Sequence, residues 1–146
     1  NTLVLFNYVE RHGMPLFEMI NNKVGEHRLV FLVHGGVDTE DREKARQIAE
    51  TTHDSIIVAS YGTFSTGINI RNLHNVVFAS PSKSKVRNLQ SIGRVLRKGD
   101  HKTKAVLYDI ADDIGKNYTL NHLIERVKLY NEENFNYEFI DVRIRE

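Results

Sequence analysis

The sequence predicts an open α/β fold: a three-layer αβα domain whose central sheet is mainly parallel. Five short apolar runs recur along the chain, segments of helical periodicity separate them, and no tight-hairpin signal joins any two. Runs of four or five residues, mostly β-branched or aromatic, suit strands buried on both faces, which is the habit of parallel sheets. The chain has 146 residues, 40% of them hydrophobic, enough for one domain with a full core and too few for two.

The first predicted strand is Leu3 to Phe6. Leu16, Phe17, Met19, Ile20 and Val24 then fit one face of an amphipathic helix. Leu29 to Val33 gives the second strand, and Thr39 to Thr52 a charged helix whose inner stripe is Ala45, Ile48 and Ala49. Ile56 to Ala59 is the third strand, followed by a long loop to the fourth, Val76 to Ala79. Val86, Leu89, Ile92, Val95 and Leu96 make a third helical stripe, and Ala105 to Tyr108 the fifth strand. Leu120, Leu123, Ile124, Val127 and Leu129 line a fourth helix, and the alternating segment Tyr137 to Ile144 offers an extra C-terminal edge strand. There is no repeat, low-complexity stretch or internal linker, so residues 1–146 read as a single domain.

The chain has no cysteine, which excludes disulfides, zinc–thiolate sites and thiol nucleophiles. No run approaches the ~18 apolar residues a membrane span needs, and no signal pattern opens the chain, so an intracellular domain without a membrane partner is expected. Strand-like sequence directly after Asn1 looks like a piece of a longer polypeptide. The seven histidines show no ligand spacing, and no metal site is expected. Neither a nucleophile elbow nor a triad is present.

Net charge is +1, yet the interval from Lys83 to Lys104 holds eight Lys/Arg against one acid, Asp100. A local basic stripe on a near-neutral chain marks either a solvated face or a polyanion site. Within it lies QSIGRVLRKGD. On a helix Gln90, Arg94 and Arg97 are spaced i, i+4 and i+7 and share one face, where two guanidiniums form a clamp matched to phosphate oxygens. Gly93 costs that helix ~1 kcal/mol, more readily tolerated where something must approach its backbone.

In the loop from Ala59 to Val77, Ser60, Thr63, Ser65 and Thr66 supply hydroxyls, and Gly62 and Gly67 free the backbone. Hydroxyls and main-chain amides are what bind a phosphodiester, although such a loop also serves as a plain turn. His34-Gly35-Gly36 closes the second strand, and Asp38 or Thr39 caps the next helix. Missing altogether are a GxxxxGK[ST] phosphate loop, a GxGxxG and a strand ending in magnesium-holding acids; Asp112-Asp113 has no phosphate cradle beside it. Alone, this domain has no means of hydrolysing a nucleoside triphosphate.

These features stand in a familiar order. The chain resembles the second RecA-like domain of superfamily 2 helicases over nearly its whole length. LVLFNYVERHG is similar to motif IV, HGGVDTEDRE to the segment after it, VASYGTFSTGINI to motif V and QSIGRVLR to motif VI, QxxGRxxR. The wording NTLVLFNYVERHGMPLF and YGTFSTGINIRNLHNVVFASPSKS further resembles that of T4-type phage recombination helicases within the family.

The resemblance implies a RecA-like fold and roles by position. Arg94 and Arg97 would reach the γ-phosphate across an interdomain cleft, Arg97 as arginine finger, with Gln90 assisting. Gly67 and Asn69 would touch the nucleotide, Asn69 standing where many members carry Asp. Ser60, Thr63, Thr66, His34, Gly35, Lys83, Lys85 and Arg87 would meet the nucleic-acid backbone. The implied cofactor is ATP with Mg2+, bound mainly by a first RecA-like domain that these residues do not contain. The implied partners are that domain and DNA, branched or single-stranded, extending to RNA–DNA hybrids; a phage-encoded chain would act in the host cytoplasm. Two other classes compete with this motor half. A non-catalytic nucleic-acid-binding module predicts salt-sensitive binding with no arginine effect on any ATPase. An unrelated α/β enzyme, such as a receiver domain, needs a phosphoacceptor Asp on the third strand, which Ile56-Ile57-Val58-Ala59-Ser60 does not offer.

Overall fold

The computed structural model describes residues 1–65, 72–79, 105–111 and 118–144. Among them, β1 (Thr2–Phe6), β2 (Val30–Val33), β3 (Ile56–Ser60), β4 (Asn75–Phe78) and β5 (Val106–Asp109) form one sheet in the order β2-β3-β1-β4-β5. Every neighbouring pair is parallel. The five apolar runs therefore become the five strands, shifted by a residue at some ends. Leu29 stays outside β2 and is 53% exposed, but its carbonyl still accepts from Ile56 N–H.

Successive strand side chains point to opposite faces, and each face carries helices. Leu3, Leu5, Val33, Ile57, Ala59, Val76 and Phe78 pack with Ala45 and Ala49 of α2 (Thr39–Thr51) and Tyr130 near the C-terminal end of the helix Tyr118–Glu132. Val4, Phe6, Ile56 and Val58 pack on the other side with Leu16, Phe17, Ile20 and Val24 of α1 (Met14–Val24). Three layers result. Asp38 caps α2, its carboxylate accepting from Glu40 N–H. Ile48, expected on the inner stripe, is 37% exposed, because the small Ala45 and Ala49 bring α2 close along their own line.

At the amino edge, Asn1 is buried and ties three elements together. Its side-chain oxygen accepts from both the N–H and the hydroxyl of Ser55, its amide donates to the Ala49 carbonyl, and its own carbonyl accepts from His74 and Asn75 N–H.

Three expectations need correction. The stretch after β3 is not all loop: Tyr61–Ser65 forms a short helix, α3. Ser60 lies just before it and its hydroxyl accepts from Thr63 N–H, the third residue on, which is N-cap geometry. Helix α4 (Tyr118–Glu132) keeps Val127 and Leu129 of the expected stripe against the core but departs from it at two positions. Ile124 is 52% exposed, whereas Arg126 is 1% exposed, held by an acid on β5.

The third concerns Tyr137 to Ile144, which forms no edge strand. After α4 the chain reverses at Asn134, in the left-handed region at φ 56°, and Phe135 N–H returns to the Tyr130 carbonyl. Phe135 and Tyr137 then set their rings against Tyr130, each at 6.3 Å, and Phe139 meets Tyr137 edge-on at 5.7 Å. Ring contacts on the end of α4 take the segment instead of strand pairing, and Val142 and Ile144 stay in solvent. The expected third helical stripe, Val86 to Leu96, lies outside the described residues.

Candidate functional site

Five parallel strands put all their carboxyl ends on one edge, where open α/β sheets bind ligands. Val33 pairs with Ala59 and Phe6 with Ser60. His34, Ser60 and the Asn7-Tyr8 turn thus stand side by side past the ends of β2, β3 and β1, and Asp109 ends β5 beyond β4.

His34 is set by a tight turn: Val37 N–H donates to its carbonyl and Gly36 N–H to its Nδ1, both at 3.0 Å. With Nδ1 accepting, the neutral ring carries its proton on Nε2 and presents it as a donor. A side chain at Gly36 would put Cβ 3.0 Å from His34 Cε1, so glycine there keeps this turn. Gly35 is exposed and a Cβ on it would meet nothing within 4 Å, so the fold leaves this stretch of backbone open to approach.

Next to it, Ser60 is half-buried and Thr63 is 5% exposed. Their hydroxyls lie 2.7 Å apart and Ser60 also receives Thr63 N–H, so the pair is one rigid unit at the start of α3. The structure thus brings His34, Gly35, Ser60 and Thr63 to one edge. Of the other sequence-derived positions, Thr66, Gly67 and Asn69 fall within 66–71, and Lys83, Lys85, Arg87, Gln90, Arg94 and Arg97 within 80–104, all outside the described residues.

Behind the edge lies a polar cluster that the sequence reading missed. Asp109 accepts two parallel bonds from Arg126, Nε at 2.7 Å and Nη2 at 2.8 Å, and a third from the Tyr130 hydroxyl. Burial first, then the Asp109 charge, pushes the phenols of both Tyr61 and Tyr130 well above their ordinary value. Tyr61 opens α3 directly after Ser60 and packs its ring 5.8 Å from Phe78. A signal was available: Leu123, Arg126, Val127 and Tyr130 follow helical core spacing with one charge inside it, which demands a buried partner.

Two further residues stand at the edge, in a turn the strand order marks for ligands but to which the sequence assigned no role. Tyr8 is 68% exposed and Arg11 is exposed, both where the chain leaves β1 through a single π-helical turn, Val9–Gly13. Among the described residues no three His, Asp or Glu gather into a metal-ligating group, and no helix is long and apolar enough to cross a membrane.

The edge offers donors: the Ser60 hydroxyl, His34 Nε2–H, open main chain and Arg11. Asp109, the acid that ends β5, is spent on Arg126 and Tyr130, while Glu10 stands exposed beside Arg11. Such a donor set fits phosphate oxygens and gives a magnesium ion no ligand from Asp109.

Comparison with known proteins identifies what the chain is similar to. The family model for the helicase conserved C-terminal domain matches residues 1–99. The ATP-dependent DNA helicase uvsW of Enterobacteria phage T4 is 44% identical over 151 aligned residues, covering 94% of this chain and 29% of the phage protein. Among solved structures, Mss116p DEAD-box helicase domain 2 bound to an RNA duplex superposes with a TM-score of 0.67 at 16% identity, over 90% of this chain and 48% of that one. The C-terminal part of the Fun30 ATPase domain gives 0.60 at 14% identity, over 94% and 49%. These two share the RecA-like fold. The chain spans 29% of the length of the phage helicase and about half of each solved chain.

Proposed function

The chain belongs to the helicase conserved C-terminal domain family, and from that premise we propose that it is the second motor half of an ATP-dependent DNA helicase. One observation carries the reading: 44% identity, over nearly the whole chain, to a protein named as such a helicase. The resemblance further points to work on branched DNA, and on RNA–DNA hybrids, in recombination, repair and fork rescue, inside the cell and, for a phage, in the host cytoplasm.

On this reading ATP with Mg2+ supplies the free energy and is held mainly by a first RecA-like domain, the partner that brings the phosphate loop absent from these residues. From this side Arg94 and Arg97 provide fixed cations at the cleft between the domains, Gln90 supports them, and Gly67 and Asn69 border the nucleotide. His34, the Gly35 backbone and the Ser60–Thr63 unit grip the phosphodiester, joined by Thr66, Lys83, Lys85 and Arg87. Contacts of this kind do not read bases, so unwinding is independent of sequence.

The test is DNA-stimulated ATP hydrolysis by the parent polypeptide, wild type against Arg97→Ala, with folding and DNA binding followed in parallel. An arginine finger is worth ~10³-fold or more in phosphoryl transfer, so turnover falls by orders of magnitude while fold and DNA affinity persist. Unchanged turnover, or a parent without ATPase activity, overturns the motor reading and leaves a nucleic-acid-binding module.

A further inference from the structure

Tyr8 is a large aromatic that the carboxyl edge holds in water. It sits at the end of the central strand, two residues past Phe6, whose register partner is Ser60. Its backbone is extended, at φ −110° and ψ 117°, and its carbonyl accepts twice, from His12 N–H at 3.0 Å and Gly13 N–H at 2.9 Å. The Gly13 bond, five residues on, and the one after it, from Met14 N–H to the Val9 carbonyl, make the π-helical turn. Gly13 can close it because it has no side chain: a Cβ there would overlap the ring of Phe6, which is fully buried. A core aromatic thus fixes the backbone that presents a surface aromatic. Arg11 and Glu10 are exposed on the same turn, and Ser60 ends the neighbouring strand β3 in register with Phe6.

A ring left 68% exposed forgoes the stabilisation of burial, and its position among phosphate-matched donors says what could cover it. Stacking on a nucleobase is available to any sequence, because every base has a π-face, while a neighbouring cation meets the adjoining phosphate. We propose that Tyr8 is a base-stacking platform for single-stranded nucleic acid, with Arg11 at the adjoining phosphate. This inference rests on the motor reading above and adds a base contact to a grip otherwise made on the backbone. Ser60 and His34 hold phosphate groups, and Tyr8 holds the base that projects between them. The stacked base belongs to the strand rather than to the nucleotide, whose bordering residues are Gly67 and Asn69.

The test uses the full-length parent protein and fluorescence anisotropy with two probes, oligothymidylate and a strand of equal length carrying abasic sites. Stacking on one base is worth about five- to hundredfold in affinity, so Tyr8→Ala weakens oligothymidylate binding by about tenfold. Tyr8→Phe and Tyr8→Trp retain it, because the ring and not the hydroxyl does the work. On the abasic strand, wild type and Tyr8→Ala bind alike, and thermal melting shows all variants folded. The proposal is overturned if Tyr8→Ala leaves oligothymidylate affinity unchanged, weakens both strands equally, or is matched by Tyr8→Phe. It is also overturned if Tyr8→Ala raises the KM for ATP and spares the strand, which would assign the ring to the adenine. Wild type that binds strand and hydrolyses ATP while Tyr8→Ala is silent removes this inference alone; wild type that does neither removes the motor reading with it.

Discussion

Arg126 and Asp109 meet fork to fork, Nε on Oδ2 and Nη2 on Oδ1, with the guanidinium side chain 2% exposed and the carboxylate 10%. The bond joins the middle of α4 to the last residue of β5, seventeen positions apart in sequence. It also sets a charge pair behind Tyr61, the residue that follows Ser60 at the ligand edge.

Breaking that pair from one side is expected to be far worse than replacing both partners. Arg126→Met strands a buried carboxylate and should cost about 3–5 kcal/mol. Asp109→Leu combined with Arg126→Met should recover most of that loss, since two apolar groups leave no uncompensated charge. Urea unfolding of the two variants checks both statements.

The phenols beside Asp109 predict a decline in alkali. Tyr130 and Tyr61 ionise above the ordinary 10.0 in the fold because burial disfavours the phenolate and Asp109 repels it. The folded state therefore holds these protons more tightly than the unfolded chain does. Their contribution is complete below pH 10 and is lost as pH rises from there through the folded values, at up to about 1.4 kcal/mol per pH unit for each phenol. Tyr130→Phe should flatten the fall of Tm above pH 10 without abolishing it, because Tyr61 still titrates. Melting curves from pH 8 to 11 would show this.

Two glycines at the ligand edge should behave oppositely. Gly13→Ala drives a methyl into the Phe6 ring and should destabilise by about 1–3 kcal/mol, partly relieved by Phe6→Leu in the same chain. Gly35→Ala enters open space and should leave stability within about 0.5 kcal/mol. If the backbone at Gly35 meets a phosphodiester, the same substitution lowers single-strand affinity, which a filter-binding titration reads directly.

Ser60→Ala removes the cap of α3 and the partner of the Thr63 hydroxyl together. A loss of about 1 kcal/mol is expected from the cap, accompanied by weaker strand binding. Thr63→Val, 5% exposed in wild type, keeps the cap through the residue 63 N–H and removes only the bond between the hydroxyls, so it should cost less stability than Ser60→Ala and affect binding less, because the Ser60 hydroxyl stays in place. Denaturant midpoints and strand titrations on the two variants separate holding from contacting.

The strands were legible because parallel pairing demands apolar residues on both faces, and Leu3 to Phe6 or Ile56 to Ala59 carry that demand in consecutive letters. Arg126 was not, since its charge sits inside a helical stripe and its partner belongs to another element. Tyr137 to Ile144 misled for the converse reason. Alternation records a preference for a half-buried pleated surface, and nothing local reveals that Tyr130 claims Tyr137 first. At the site, the hydroxyls and glycines suited a phosphodiester but equally a plain turn. Tyr8 gained no role from the sequence because its exposure is decided by the turn at Gly13.

The strand order β2-β3-β1-β4-β5 also bears on how the chain assembles during synthesis. β1 is translated first among the strands yet occupies the middle of the sheet, and its partners begin only at Ile56 and Asn75. β2 cannot help it, because β2 pairs with β3 alone among the described strands. An emerging polypeptide must therefore hold two apolar strands unpaired until Ile56–Ser60 leaves the ribosome and docks between them. At about 5–20 residues per second that interval lasts several seconds, long enough for a chaperone to engage the exposed runs. Arrested nascent chains should turn protease-resistant in steps, first once β3 has cleared the exit tunnel and again after β4.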